Sequence, residues 1–295
     1  MSIDIVQLKD AQPRPRRVAI GTFDGVHLGH RKVITGSETV LTFEPHPLVV
    51  LKHDAAPKTL TALSLKARLL EEIGVEEMVL IEFNPDFASM DAERFVREVL
   101  IERLGATHVS VGENFRFGKK AQGDPAFLAK FDEFETTVVP LVENGGEIVS
   151  STQIRGLVAA GDVERADELL GYPFTMVGEV KHGDKRGREL GFPTANLEPD
   201  EHDCVPGHGV YAALTNGVAS AVNVGVRPTF QTGRGLLVES FLIDWEGDLY
   251  GEQVEVAFLQ RLRGERRYDG VDPLVEQMRA DVAQAREICN AALKS

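Results

Sequence analysis

The residues Gly21-Thr22-Phe23-Asp24-Gly25-Val26-His27-Leu28-Gly29-His30 bring glycines, two histidines and a carboxylate together directly after the apolar run Val18–Ile20. A strand that empties into a glycine-bearing turn and then a helix start is where α/β proteins hold phosphates. His27 and His30 set two potential cations where negative charge builds on a transferred phosphoryl group, and Gly29 between them lets a nucleotide approach the backbone closely. Such a pair could instead ligate a metal, but histidine pairs on one helix face favour i, i+4 spacing and no third ligand is obvious. The bland alternative is a turn with two solvated histidines. Neither G-x-x-x-x-G-K-[ST] nor G-x-G-x-x-G occurs, which removes the main support for the common P-loop and dinucleotide readings.

Four further clusters carry polar chemistry. In Val149–Arg155, Ser150, Ser151 and Thr152 precede an amphipathic stretch with Arg155 a turn later: a second phosphate cradle, or ordinary helix capping. Val111–Gly118 follows a strand and gathers Asn114, Phe115 and Arg116, where the alternative is a plain polar loop. Lys181–Arg188 holds Lys181, Lys185, Arg186 and Arg188 with Gly183 and Gly187, which suits a flap over phosphates or a solvated hairpin tip. It leads into Gly191-Phe192-Pro193-Thr194-Ala195-Asn196. In an extended strand Thr194 and Asn196 share a face and can meet one hard cation or its phosphates. Glu239 sits alone in the apolar run LLVESFLI, where a desolvated carboxylate would make a workable base near neutral pH; an edge-strand Glu facing water is the alternative.

The elements that must hold these residues differ between the halves. Residues 18–150 alternate short apolar runs (Val18–Ile20, Thr39–Phe43, Met78–Phe83, His108–Gly112, Thr137–Leu141) with helical stretches at 63–74 and 91–105, which predicts a parallel, doubly wound sheet. In the second stretch Ala92, Phe95, Val96, Val99 and Leu100 follow the helical period, and Gly105 ends it. Residues 151–171 predict two short helices broken at Gly161-Asp162, a bridge between an N-terminal domain at 1–172 and a C-terminal one at 173–295. From Phe174 onward, short runs between Gly- and Pro-rich turns predict an antiparallel sheet or barrel, closed by a helix over Asp272–Leu293 with Leu274, Met278, Val282 and Ile288 on or near one face.

A length of 295 residues suits two domains, and 43% hydrophobic content is enough for real cores. The net charge of −14 argues against a nucleic-acid coat, which needs surplus Lys and Arg, but not against small phosphorylated ligands held by local cations. Cys204 and Cys289 are too few for a disulfide scaffold or a thiolate zinc site. The start has no secretory h-region and no run spans a bilayer, so the expected compartment is the reducing cytoplasm, with no membrane partner.

Taken in order, Gly21–His30, Phe43-Glu44-Pro45-His46-Pro47, Gly112–Gly118 and Val149–Arg155 resemble the adenylyltransferase module of the prokaryotic bifunctional FAD synthetase family. Pro193-Thr194-Ala195-Asn196, Gly207–Tyr211, Asn223–Phe230 and Val238–Gly251 resemble the same family's riboflavin kinase module. The resemblance implies a Rossmann-like nucleotidyltransferase domain followed by a six-stranded antiparallel kinase barrel. It implies phosphorylation of riboflavin to FMN, then adenylylation of FMN to FAD, with Mg²⁺ and two ATP molecules. By residue, it implies that His27 and His30 stabilise adenylyl transfer and that Glu239 is the kinase base. Gly21, Phe23, Asp24, Gly29, Asn114, Ser151, Thr152 and Arg155 would bind nucleotide, as would Lys185, Gly187 and Arg188; Pro45, His46 and Pro47 would line the flavin cleft, and Thr194 and Asn196 would engage Mg²⁺ and ATP phosphates. His46 reads equally well as a structural loop residue. Many relatives carry a longer helix where this chain has only Arg31–Glu38. A kinase with a weakened adenylyltransferase half therefore stands as the rival within enzymes, and a flavin-binding regulator without turnover as the rival from another class. Oligomeric state is not legible.

Overall fold

The computed structural model describes residues 3–51, 56–181, 192, 194–226 and 235–294. They divide into two compact units: Met1–Pro57 with Leu63–Ser151, and Lys58–Ala62 with Thr152–Ser295.

The first unit is built on a parallel sheet of β1 (Asp4–Gln7), β2 (Arg16–Ile20), β3 (Thr39–Glu44), β4 (Glu77–Glu82), β5 (Ala106–Gly112) and β6 (Glu135–Val139), in the order β1-β4-β3-β2-β5-β6. Its helices are α1 (Leu28–Ile34), α2 (Pro47–Leu51), α3 (Leu63–Glu72), α4 (Pro85–Ala88), α5 (Ala92–Arg94) and α6 (Pro125–Leu128). The strands are nearly continuous Val, Ile and Leu because both faces are covered: Val18, Val40, Leu41, Met78, Val79 and Val109 are all buried. From β2 the chain winds one way to β3 and β4, then crosses to place β5 on the other side of β2. The carboxyl ends of β2 and β5 therefore flank the topological switch point, where open α/β sheets bind ligands. At the opposite end Arg16 is buried against Glu77, with N···O distances of 2.8 and 3.1 Å, and Thr39 donates to the same carboxylate.

The sequence reading missed β1, an edge strand whose DIVQ offers little apolar pattern. It predicted a regular α-helix over 91–105; the segment continues from α5 as a π-helix over Phe95–Arg103. The apolar face is nonetheless as expected, with Ala92, Phe95, Val96, Val99 and Leu100 all buried.

In the second unit α7 (Ser151–Ala160) and α8 (Val163–Leu170) precede a closed antiparallel barrel. Asp162 caps α8 by accepting the Arg165 N–H, and left-handed Gly171 ends it. The barrel comprises β9 (Thr175–Lys181), β10 (Ala195–Leu197), β11 (Gly209–Thr215), β12 (Val218–Val226), β13 (Leu236–Leu242) and β14 (Gln253–Arg263), in the order β10-β13-β12-β11-β14-β9 with β9 and β10 paired. Alternate residues fill it: Tyr211, Val222, Val224, Val238, Val254, Val256 and Phe258 are buried. Closure leaves β13 without a free edge.

Helix α9 (Val271–Ala292) packs on the barrel. Asp281, Ala285 and Cys289 are buried on the face the sequence predicted, with Leu274, Met278, Val282 and Ile288 half-buried beside them. Small side chains permit close approach to Ala212, and Arg263 neutralises Asp281 through contacts of 2.7–3.1 Å.

Candidate active sites

The turn after β2 is built from unusual backbone. Phe23 and Val26 have φ of 45° and 37°, and Gly25 has 97°. A β-branched residue such as Val26 is rarely found there, so the surroundings must impose the conformation. They do so by capturing carbonyls: Thr42 Oγ1 and Lys66 Nζ donate to Thr22 O at 3.1 and 2.9 Å, Ser151 Oγ to Asp24 O at 2.8 Å, and Arg31 Nε to Val26 O at 3.2 Å. The turn delivers His27 to the N-cap of α1, where its Nδ1 accepts the His30 N–H at 3.2 Å. The two imidazoles stack with centroids 3.5 Å apart, and Phe23 meets His30 edge-on at 5.4 Å. A Cβ at position 29 would come within 3.1 Å of the His27 ring, which explains the glycine between the histidines. Helix α1 has 7 residues, too few for a long helix dipole.

The segment Arg31–Glu38 is short but complete as a support. It finishes α1, and its Arg31 anchors the turn. On the other side of the switch point the loop after β5 places exposed Asn114 beside Gly112, with Phe115 and Phe117 stacked behind it at 5.5 Å.

In the barrel, cross-strand register aligns Asn196 of β10 with Glu239 of β13, and Glu239 with Asn223 of β12. These three form one polar row on the outer face, since Val238 and Ser240 on either side of Glu239 are buried inside. Asn223 Nδ2 donates to Glu239 Oε2 at 3.2 Å, and Asn196 Nδ2 to Thr194 O at 3.1 Å.

Comparison with known proteins supplies the decision. An FAD synthetase family model matches residues 9–153, and a riboflavin kinase family model matches residues 170–289. Over 91% of both chains the protein is 38% identical to the bifunctional riboflavin kinase/FMN adenylyltransferase of Listeria monocytogenes. It is 37% identical to that of Escherichia coli strain K12, over 92% of this chain and 91% of the relative. The chain belongs to the bifunctional riboflavin kinase/FMN adenylyltransferase family. Both expected folds and both expected activities agree with that membership. A crystal structure described as a macrolide-efflux protein from Streptococcus pneumoniae superposes with a TM-score of 0.85 at 30% identity, covering 96% of this chain and 99% of its own. That description concerns the other protein; among the described residues here no helix is long and apolar enough to cross a membrane.

Within this family member, the structure gathers Gly21, Phe23, Asp24, His27, Gly29, His30 and Ser151 in one place. Thr152 and Arg155, expected to act beside Ser151, fall in the second compact unit, where Arg155 Nε donates to Lys58 O at 2.6 Å. His46 has a definite structural task, accepting the Leu48 N–H on Nδ1 at 3.2 Å, and Pro45 and Pro47 flank it half-buried. Lys185, Gly187 and Arg188 lie outside the described residues, as does Pro193. Glu239 was expected to be desolvated; it is half-buried and outward-facing, because its strand buries Val238 and Ser240 instead. Arg261 and Arg263 hold backbone and helix: Arg261 donates to Ala160 O and His208 O, and Arg263 to Asp281.

Two residues escaped the sequence reading. Lys66 lies on the buried face of α3 with Leu65, Leu69 and Leu70, and its signal was a lysine three and four residues before leucines of an apolar stripe. Asn223 was visible only as part of a motif, since the register that sets it against Glu239 requires the barrel.

Proposed function

We propose that each unit carries one step of flavin-cofactor synthesis, with the kinase chemistry on the outer polar row of the barrel and the adenylyl transfer at the switch point of the parallel sheet. What supports this is that the chemistry-bearing residues form two separate clusters, one in each compact unit. By sequence the kinase domain spans 173–295 and the adenylyltransferase domain 1–172, while residues 152–172 of that helical linker fall with the barrel in the second compact unit.

In the first step the ribityl 5′-hydroxyl of riboflavin attacks the γ-phosphorus of ATP, Glu239 takes the hydroxyl proton, and ADP leaves. Asn223 occupies Glu239 Oε2, which leaves Oε1 to face the hydroxyl. Among the described residues no group of three or more His, Cys, Asp or Glu side chains could hold a metal. Mg²⁺ usually takes one or two protein oxygens and completes its shell with phosphates and water. The Thr194 hydroxyl and the Asn196 amide oxygen are hard oxygen donors of the right kind. When bound, Mg²⁺ would neutralise phosphate charge; the two side chains at 194 and 196 would orient the nucleotide.

In the second step a phosphate oxygen of FMN attacks the α-phosphorus of a second ATP, and pyrophosphate leaves. No covalent enzyme intermediate is needed, so positioning and charge neutralisation do the work. His27 keeps Nδ1 as an acceptor for the helix start, which sets its tautomer so that Nε2 carries the proton offered to phosphate. Ser151 fixes the turn and Asn114 faces the nucleotide from the β5 side. Pro45, His46 and Pro47 shape the flavin side. The reducing cytoplasm is the proposed compartment, with both cysteines free and buried in support.

The test is a chromatographic time course of purified protein with riboflavin, ATP and Mg²⁺. FMN should appear first and FAD after it, with pyrophosphate matching FAD. FMN that accumulates without FAD would leave only the kinase half of the assignment.

A further inference from the structure

Lys66 is the least expected side chain in the first unit. It is 6% exposed, sits among leucines on the inward face of α3, and has its ammonium pushed toward the neutral form by burial, an effect opposed by Asp24 and Glu44. A methionine in that place would fill the same volume without the penalty of desolvating a charge. The position of its Nζ shows what the charge does. It lies 2.9 Å from Thr22 O, the carbonyl that opens the left-handed turn carrying the histidines.

We propose that Lys66 is a positioning residue for adenylyl transfer, fixing the Thr22–Phe23 peptide and offsetting the carboxylates beside the nucleotide phosphates. This rests on the reading of Gly21–His30 as the nucleotide site. A trans peptide is planar, so drawing Thr22 O toward Lys66 and Thr42 directs the Phe23 N–H to the opposite side. Ser151 does the same to the Asp24 carbonyl one peptide on. Phe23, Gly25 and Val26 all lie at positive φ, and the Val26 N–H closes the turn on Phe23 O at 3.2 Å. Asp24 is 3% exposed and would repel a triphosphate unless a cation lay close. Lys66 interacts electrostatically with both Asp24 and Glu44.

The experiment compares wild type with Lys66→Met and Thr42→Val in full-length protein, measuring KM for ATP and kcat separately in FMN adenylylation and in riboflavin phosphorylation. Lys66→Met should raise KM for ATP about tenfold in adenylylation, as expected for losing one charge-assisted contact. The kinase constants should not move. Thr42→Val, which removes the second donor to Thr22 O but no charge, should raise KM less than Lys66→Met does. KM reports folded enzyme only, so a loss of folded protein lowers apparent kcat and leaves KM unchanged. A KM within twofold of wild type for Lys66→Met, whatever happens to kcat, would overturn the proposal. If neither wild type nor variant adenylylates FMN while both phosphorylate riboflavin, the reading of the Gly21–His30 turn itself falls and Lys66 with it.

Discussion

Asp167 shows how one buried carboxylate can set a pH dependence. It accepts the Phe174 N–H at 2.7 Å and so ties the helical pair to the first strand of the barrel. Burial pushes its carboxyl up from 3.8 to about 8, against the Phe174 hydrogen bond and with a small push from Glu164. The folded protein therefore holds a proton that the unfolded chain has released. Its contribution to stability is complete below pH 3.8 and drains away as pH rises to about 8. Asparagine keeps the acceptor for Phe174 and carries no charge. Asp167→Asn should raise Tm by an amount that grows from pH 4 to pH 8 and then levels off, as thermal melts in a buffer series would show. A gain that is flat across that range would mean the carboxyl titrates normally. The same residue-level logic applies to His27, whose Nδ1 is committed to the helix start by the His30 N–H at 3.2 Å.

Among the elements, α9 is held by a buried ion pair, with the exposed Arg286–Asp244 pair beside it. Arg263 and Asp281 have side chains 13% and 7% exposed, with Gln277 Nε2 adding a donor to the carboxylate at 2.9 Å. Removing one partner strands the other charge. Asp281→Ala should cost about 3 kcal/mol or more in chemical denaturation, whereas Arg263→Met/Asp281→Leu should cost far less. Equal losses for the two would mean that the pair is an ordinary surface contact. This pair also marks where reading the sequence stopped. Most strands were legible because their apolar runs are short and bounded by Gly and Pro, and the break between α7 and α8 was legible because Gly161-Asp162 both ends and caps. The apolar face of α9 was legible too, but the buried Asp281 at its centre was not, because a charged residue looks like surface until Arg263 is known to meet it. The π-helix at Phe95–Arg103 was hidden as well, since it buries the same residues an α-helix would.

For the whole molecule, the sequence shows two rhythms and the structure shows two compact units, but their border is finer than linear order suggests. Lys58–Ala62 belong with the barrel unit although they lie between helices of the first, held by Thr59 N to His202 O at 2.7 Å and Cys204 N to Thr59 O at 2.9 Å. Nothing in that short stretch advertises the attachment, because backbone pairing is blind to side-chain type. The residues of the two chemistries were legible where a motif carries them in adjacent positions, as in His27–His30 and Thr194–Asn196. They were hidden where register or a helix face brings them in, as for Asn223 and Lys66. The central claim is that the two steps use separate sites, and product chromatography of Glu239→Gln and His27→Ala/His30→Ala tests it most directly. Glu239→Gln should slow FMN formation from riboflavin by about a hundredfold or more and still convert supplied FMN to FAD at the wild-type rate. The double-histidine variant should make FMN normally and stop there. If either substitution abolished both steps in protein that remains folded, the assignment of one site to each unit would be wrong.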